Sequence, residues 1–210
     1  MNRDLRLTTG ADIRRWTVGH SYSRPTVALT WRVRDDAKRK PRPALDQEAL
    51  ERLGLFYAGR YGTTRAKLRS YLVRKVRERG WAGVNPPAIE QLAERFAALG
   101  YVDDAAFATA RTASLLRRGY GSRRIDQALH AAGIEGSDAE PAREQARDGA
   151  WAAALRFAER KRIGPFAGAL PGRDEQQKAA AAMIRAGHSF DMVRKLLAAP
   201  PGEIPELDGA

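Results

Sequence analysis

The 210-residue chain has no cysteine. That absence excludes disulfides, thiol nucleophiles and thiolate metal sites together, and it suits a reducing compartment. Histidine is nearly as scarce. His20, His130 and His188 stand far apart, with no H-E-x-x-H or similar spacing, so neither a metal site nor a cofactor is expected. No apolar run approaches the roughly 18 residues of a membrane span. The N-terminus holds Arg and Asp where a signal peptide needs an apolar segment, which predicts a cytosolic protein without membrane association. Catalytic signatures are missing too: there is no G-x-S-x-G, P-loop or G-x-G-x-x-G. No nucleophile, base and orienting group can be assembled, so no catalysis is expected and no catalytic residue is assigned.

Acidic residues are also in short supply. Lys and Arg number 37 against 25 Asp and Glu, a net charge of +12. The excess is uneven: +7 over residues 1–44, +6 over 45–134 and −1 over 135–210. A positive field over two thirds of the chain favours polyanions, either nucleic acid or an acidic protein surface. A high-GC coding sequence, which inflates Arg and Ala, is the plainer source of the same bias.

What is present is helical. Residues 1–44 show no sustained periodicity. Val27–Val33 has strand character but no partner to pair with, so this segment reads as a disordered basic arm. Regular structure begins at Leu45. Asp46 can cap a helix whose apolar stripe holds Ala49, Leu50, Leu53, Phe56 and Tyr57. Thr63 or Thr64 then caps a second helix carrying Leu68, Tyr71, Leu72 and Val76. Ile89, Leu92, Phe96 and Leu99 mark a third, stopped by Gly100. The pattern restarts at Asp103 with Phe107, Ala108 and Leu115 inward. Gly119 and Gly121 bracket a turn, and Ser122 is a candidate cap for a helix with Ile125, Ala128 and Leu129 inward. A single long helix is expected from about Ala142 to Arg162. Gln176–Arg185 and a helix opened by Ser189 follow, and Pro200-Pro201 ends regular structure.

Three helices in this series superimpose. Thr64, Gly121 and Ser189 open them; Leu68, Ile125 and Val193 follow four residues on, and Leu72, Leu129 and Leu197 eight residues on. The repeat predicts an all-α chain of three tandem three-helix, helix-turn-helix-like modules stacked into an elongated array. The boundaries are a basic arm over 1–44, modules over 45–102 and 103–165, a shorter third over 172–200, and a loose tail over 201–210.

Two basic clusters recur at matching turns of the first two modules. Arg60–Arg79 holds eight basic residues and one acid, and Arg111–Arg124 holds five and no acid. A solvated face is the usual meaning of such runs; equivalent placement in stacked modules makes a binding stripe the alternative. Arg65, Lys67, Arg69, Arg74, Arg117, Arg118, Arg123 and Arg124 are the candidate contacts. Tyr61, Tyr71 and Tyr120 could stack on bases. The adjacent pair Asp103-Asp104 reads as a helix cap with a first-turn acid rather than as acid–base machinery. A DNA-binding helix-turn-helix shares the outline but lacks an Asn or Gln base-reading set.

With the repeat laid out, four phrases resemble the RecX family, regulators of the RecA recombinase. LGYVDDAAFA (Leu99–Ala108) is similar to that family's best-marked motif, and RRGYGSRRIDQAL (Arg117–Leu129) to the segment after it. TRAKLRSYL (Thr64–Leu72) and SFDMVRKLL (Ser189–Leu197) resemble its first- and third-module motifs. Ser122 departs from the pattern, where proline is common. The resemblance spans about residues 45–200. It implies a curved array of three-helix modules that binds the RecA–DNA filament and suppresses recombinase and coprotease activity, without catalysis or cofactor; the chain itself is expected to be a monomer. RecA and DNA, single- or double-stranded and bound nonspecifically, are the implied partners. The alternative from charge alone is a freestanding DNA- or RNA-binding module acting without RecA.

Overall fold

The computed structural model describes residues 42–206. Except for residues 42–44, the arm expected over 1–44 lies outside them, as do the last four residues of the tail. Nine α-helices form among the described residues: α1 Gln47–Arg60, α2 Arg65–Arg79, α3 Ile89–Ala98, α4 Asp104–Arg117, α5 Ser122–His130, α6 Glu140–Asp148, α7 Ala150–Lys161, α8 Arg173–Arg185 and α9 Phe190–Ala198. Strand pairing among these residues is confined to one isolated parallel bridge, Leu45 with Trp81.

Local chemistry sets the helix starts. Asp46, Thr64, Asp103 and Ser189 each sit at an N-cap in extended backbone, and each side chain accepts a hydrogen bond from the N–H three residues on. Each cap satisfies a donor that the helix leaves open. The chain of α3, α4 and α8 turns back in one way. Gly100, Gly119 and Gly187 donate to the third residue back, and the following N–H reaches the fifth, at Phe96, Leu115 and Met183.

The three aligned helices open at Thr64, Gly121 and Ser189, as the repeat predicts. Leu68, Ile125, Val193, Leu72 and Leu129 are buried, but Leu197 is only half-buried and Leu196 takes the inward place. Buried apolar residues gather in three clusters. The first joins Leu45, Leu50, Leu68, Leu72, Leu92, Phe96 and Val102. The second joins Ala108, Leu115, Leu116, Ile125, Leu129, Ile134 and the alanines of α6. The third joins Ala154, Phe157, Ala158, Ile163, Met183, Val193 and Leu196.

Further expectations need correction. The long helix from Ala142 to Arg162 is two helices that meet at Gly149, where Leu116 Cδ1 would lie 2.8 Å from an added Cβ. The break lets α7 change partners: Ala153 stays with the second cluster while Ala154, Phe157 and Ala158 join the third. The third cluster therefore takes Ala154, Phe157, Ala158 and Ile163 from α7 and the segment that follows it. Phe56 is 62% exposed, because it sits about 120° around α1 from Leu50. Leu99 is 60% exposed, because α3 ends before it and Val102 turns inward instead. Ser122 is not a cap; Gly121 holds that place, and the Ser122 hydroxyl donates to the Ala146 carbonyl of α6 at 3.2 Å.

His188 joins the second and third clusters. It is buried, its Nε2 lies 3.1 Å from the Gly119 carbonyl, and its ring meets Phe157 edge-on. A carbonyl only accepts, so Nε2–H donates, and in the neutral ring Nδ1 then carries no proton. Nδ1 is buried and has no hydrogen-bond partner among the described residues. Burial lowers the imidazole pKa below its ordinary value; the bond to Gly119 opposes this more weakly. The unfolded chain therefore takes up a proton that the folded chain refuses. Stability from this group is whole above about pH 6.5 and falls as pH drops from there toward the lowered folded value. Chemical denaturation from pH 7.5 to 5 should show that decline, and His188→Gln, which keeps a donor and cannot titrate, should flatten the part due to this residue.

Candidate basic groove

Two junctions fix where the charged side chains of α2, α4 and α5 can lie. At the first, the Thr64 hydroxyl donates to the Ala132 carbonyl at 2.6 Å. Gly133, at φ +72°, lies so close to α2 that an added Cβ would stand 2.2 Å from the Ala66 Cβ. Asp104, on α4, crosses to the start of α2. Its Oδ1 accepts the Arg65 backbone N–H at 2.9 Å and its Oδ2 the Arg65 Nε–H at 3.1 Å. It thereby caps a helix of another cluster while Asp103 caps its own. Arg65 also reaches Asp138 at 2.5 Å and Glu94 at 3.3 Å. The hydrogen bond that Arg65 donates to Asp104 chiefly raises the Arg65 pKa, against the opposing effect of burial.

This junction closes α2 against α4 and α5 and leaves a groove of about 560 Å³ between them. One face of α4 supplies Phe107, Arg111 and Leu115, four residues apart each time, and the turn adds Arg118 and Tyr120. Arg124, Gln127 and Ala128 on α5 and Ala131 at its C-cap continue the helical spacing. Lys67 enters from α2 with its Nζ 4.1 Å from the centroid of the Phe107 ring. Four cations, Lys67, Arg111, Arg118 and Arg124, line this space, and no carboxylate does. Burial first, and the charge of Arg111 second, lower the Lys67 pKa. With no carboxylate in the lining, an anion placed there would offset both effects by favouring the charged form of Lys67.

The predicted contacts divide. Lys67, Arg118 and Arg124 come together in the groove. Arg74 lines an adjoining hollow of about 380 Å³ that shares Lys67, Ala131 and Ala132 with it, and its Nε lies 3.6 Å from Glu78. Arg117 is exposed but does not line either space. Arg123 lies at the other junction, where its backbone N–H donates to the Gly187 carbonyl at 3.2 Å. Arg65 is engaged in the junction, and Arg69 pairs with Glu90 at 3.3 Å and Glu94 at 3.4 Å. Both are committed within the fold. Sequence reasoning passed over Arg111 and Phe107. Their spacing, with Leu115 and Arg118 at steps of four, four and three, was the available signal.

Comparison with known proteins bears on the same region. The profile of the RecX second three-helix domain matches residues 103–142, which include α4, α5 and the Asp104 junction. A regulatory protein RecX of Myxococcus xanthus (strain DK1622) is 31% identical over 163 residues, covering 72% of this chain and 86% of the relative. The chain belongs to the RecX family of regulatory proteins. A second RecX, from Agrobacterium fabrum (strain C58 / ATCC 33970), is 28% identical over 148 residues and covers 69% of this chain and 79% of its own length. The crystal structure of RecX from Lactobacillus salivarius shares the fold, with a TM-score of 0.52 at 17% identity over 71% of this chain and 93% of that one. Another RecX crystal structure gives a TM-score of 0.53 at 20% identity, over 71% and 70%. The helical fold expected from periodicity is thus the RecX fold. No helix among the described residues is long and apolar enough to cross a membrane.

Proposed function

We propose that this RecX-family chain is a non-enzymatic negative regulator of RecA. It binds the RecA–DNA filament in the cytoplasm, inhibits recombinase and coprotease activity, and so modulates DNA repair and recombination. Its three buried clusters act as three modules, and the groove between the first two meets the polyanionic filament. One observation carries this reading: four cations share a groove that no carboxylate lines. Phosphates of DNA, or carboxylates of the RecA surface, supply the missing charge. Release of counterions from DNA makes that part of the affinity salt-dependent.

Titrating the chain into RecA-catalysed strand exchange tests the reading. Inhibition well below the concentration of RecA is expected, because a filament-bound regulator acts on many subunits. Inhibition that begins only once the DNA is coated would instead mark a freestanding nucleic-acid binder.

A further inference from the structure

We infer that the third cluster carries a docking cleft for an acidic, amphipathic peptide segment of a partner protein. The inference concerns α8, α9 and the loop before α8, and it stands apart from the groove and its proposed action on RecA.

Leu170 and Phe190 are 79% and 66% exposed, although both line a hollow with the buried Val193. A hollow of about 640 Å³ lies against them, floored by Ala180, Val193 and Leu197. A second of about 560 Å³ lies against Ile163, Ala179 and Ala182. Both include Leu170, Pro171 and Leu197, so the two hollows adjoin along these residues as one largely apolar cleft. Concave apolar surface with two projecting side chains suits the anchor residues of a peptide.

The rim decides the charge of the occupant. Arg173 and Arg194 border the first hollow, and Lys161, Arg162 and Lys178 the second. Glu175 is the single carboxylate in the lining, and its Oε2 already accepts the Gly172 N–H at 3.1 Å at the start of α8. Arg194 touches Asp191 at 3.3 Å, with both side chains exposed. The other four cations have no carboxylate partner among the described residues. A peptide that alternates apolar anchors with Asp or Glu fills the floor and meets the rim. A second copy of this chain, docked cleft to cleft, would oppose like charges at close range. An anionic membrane is a poorer fit, because the apolar floor is recessed rather than protruding.

The test uses the full chain and a fluorescein-labelled peptide of roughly ten residues in which Leu or Phe alternates with Asp or Glu. Anisotropy should show binding about tenfold or more tighter than for the same peptide with Lys in place of its acids, and the affinity should weaken with salt. Leu170→Asp with Phe190→Asp should weaken it about tenfold or more. Both sites are exposed, so folding should be kept, and circular dichroism checks this. Arg173→Glu with Lys178→Glu, wholly on the surface, should act in the same direction. Equal binding of the acidic and basic peptides would overturn the inference, as would unchanged affinity in both variants. Displacement of the peptide by phosphatidylserine vesicles, or binding seen only after residues 203–210 are removed, would assign the cleft to a membrane or to the chain's own tail and overturn it too.

Discussion

Asp104→Ala should destabilise the chain by about 3 kcal/mol, read by urea denaturation. Asp104 is a buried carboxylate whose two oxygens are both occupied by Arg65. Truncation leaves the first N–H of α2 without its acceptor and removes the least exposed partner of the Arg65 guanidinium. Glu94 remains but is exposed and screened, and Asp138 remains half-buried on the guanidinium alone, so neither replaces the lost acceptor of the Arg65 backbone N–H. Asp104→Asn should recover part of it, because the amide oxygen still accepts from the Arg65 backbone. If alanine and asparagine cost the same, the charge rather than the cap carries the junction. If neither costs more than about 0.5 kcal/mol, the junction is not held here.

Gly187→Ala should cost about 3 kcal/mol and act chiefly on the third cluster. The chain needs φ +94° at this position, a conformation that L side chains rarely adopt. An added Cβ would also meet the Arg124 backbone nitrogen at 2.4 Å, and a backbone atom cannot swing aside. The contact is reciprocal. Gly121 donates to the Ala186 carbonyl at 2.9 Å, and a Cβ on Gly121 would stand 2.3 Å from the Gly187 oxygen. Hydrogen exchange should show α8 and α9 losing protection while α1–α3 keep theirs. Uniform loss across all nine helices would mean that the clusters unfold as one.

The parts of this molecule that rest on local chemistry were legible in the chain. Asp46, Thr64, Asp103 and Ser189 bond to N–H groups three residues away, so sequence alone displays both partners. Leu68 with Leu72, and Ile125 with Leu129, show their shared face through the period of one helix. The parts that rest on distant partners were not legible. Arg65 and Asp104 are 39 positions apart, and nothing in the basic run distinguishes Arg65, which is neutralised at the junction, from Lys67, which is not. Phe56 shows the limit within a helix, since an apolar residue can sit near a stripe and still face solvent. Gly149 shows the limit of helix ends, because the packing of Leu116 against it is invisible locally. In the groove, Arg118 and Arg124 stand out through charge, whereas Arg111 shows only through its spacing from Phe107 and Leu115, and that this face of α4 turns toward Lys67 is set by packing between distant helices.

The central claim is that the Lys67, Arg111, Arg118 and Arg124 groove is where this chain meets the RecA–DNA filament. Its most direct test changes all four to Glu and compares the variant with the native chain in RecA-catalysed strand exchange. Arg117→Glu, an exposed change outside the groove, serves as the control. All four groove residues are exposed or half-buried cations without a carboxylate in the lining, so the variant should keep its helical signal. It should need about tenfold or more protein for half-inhibition, while Arg117→Glu stays close to native. A folded quadruple variant that inhibits as strongly as the native chain would contradict the account.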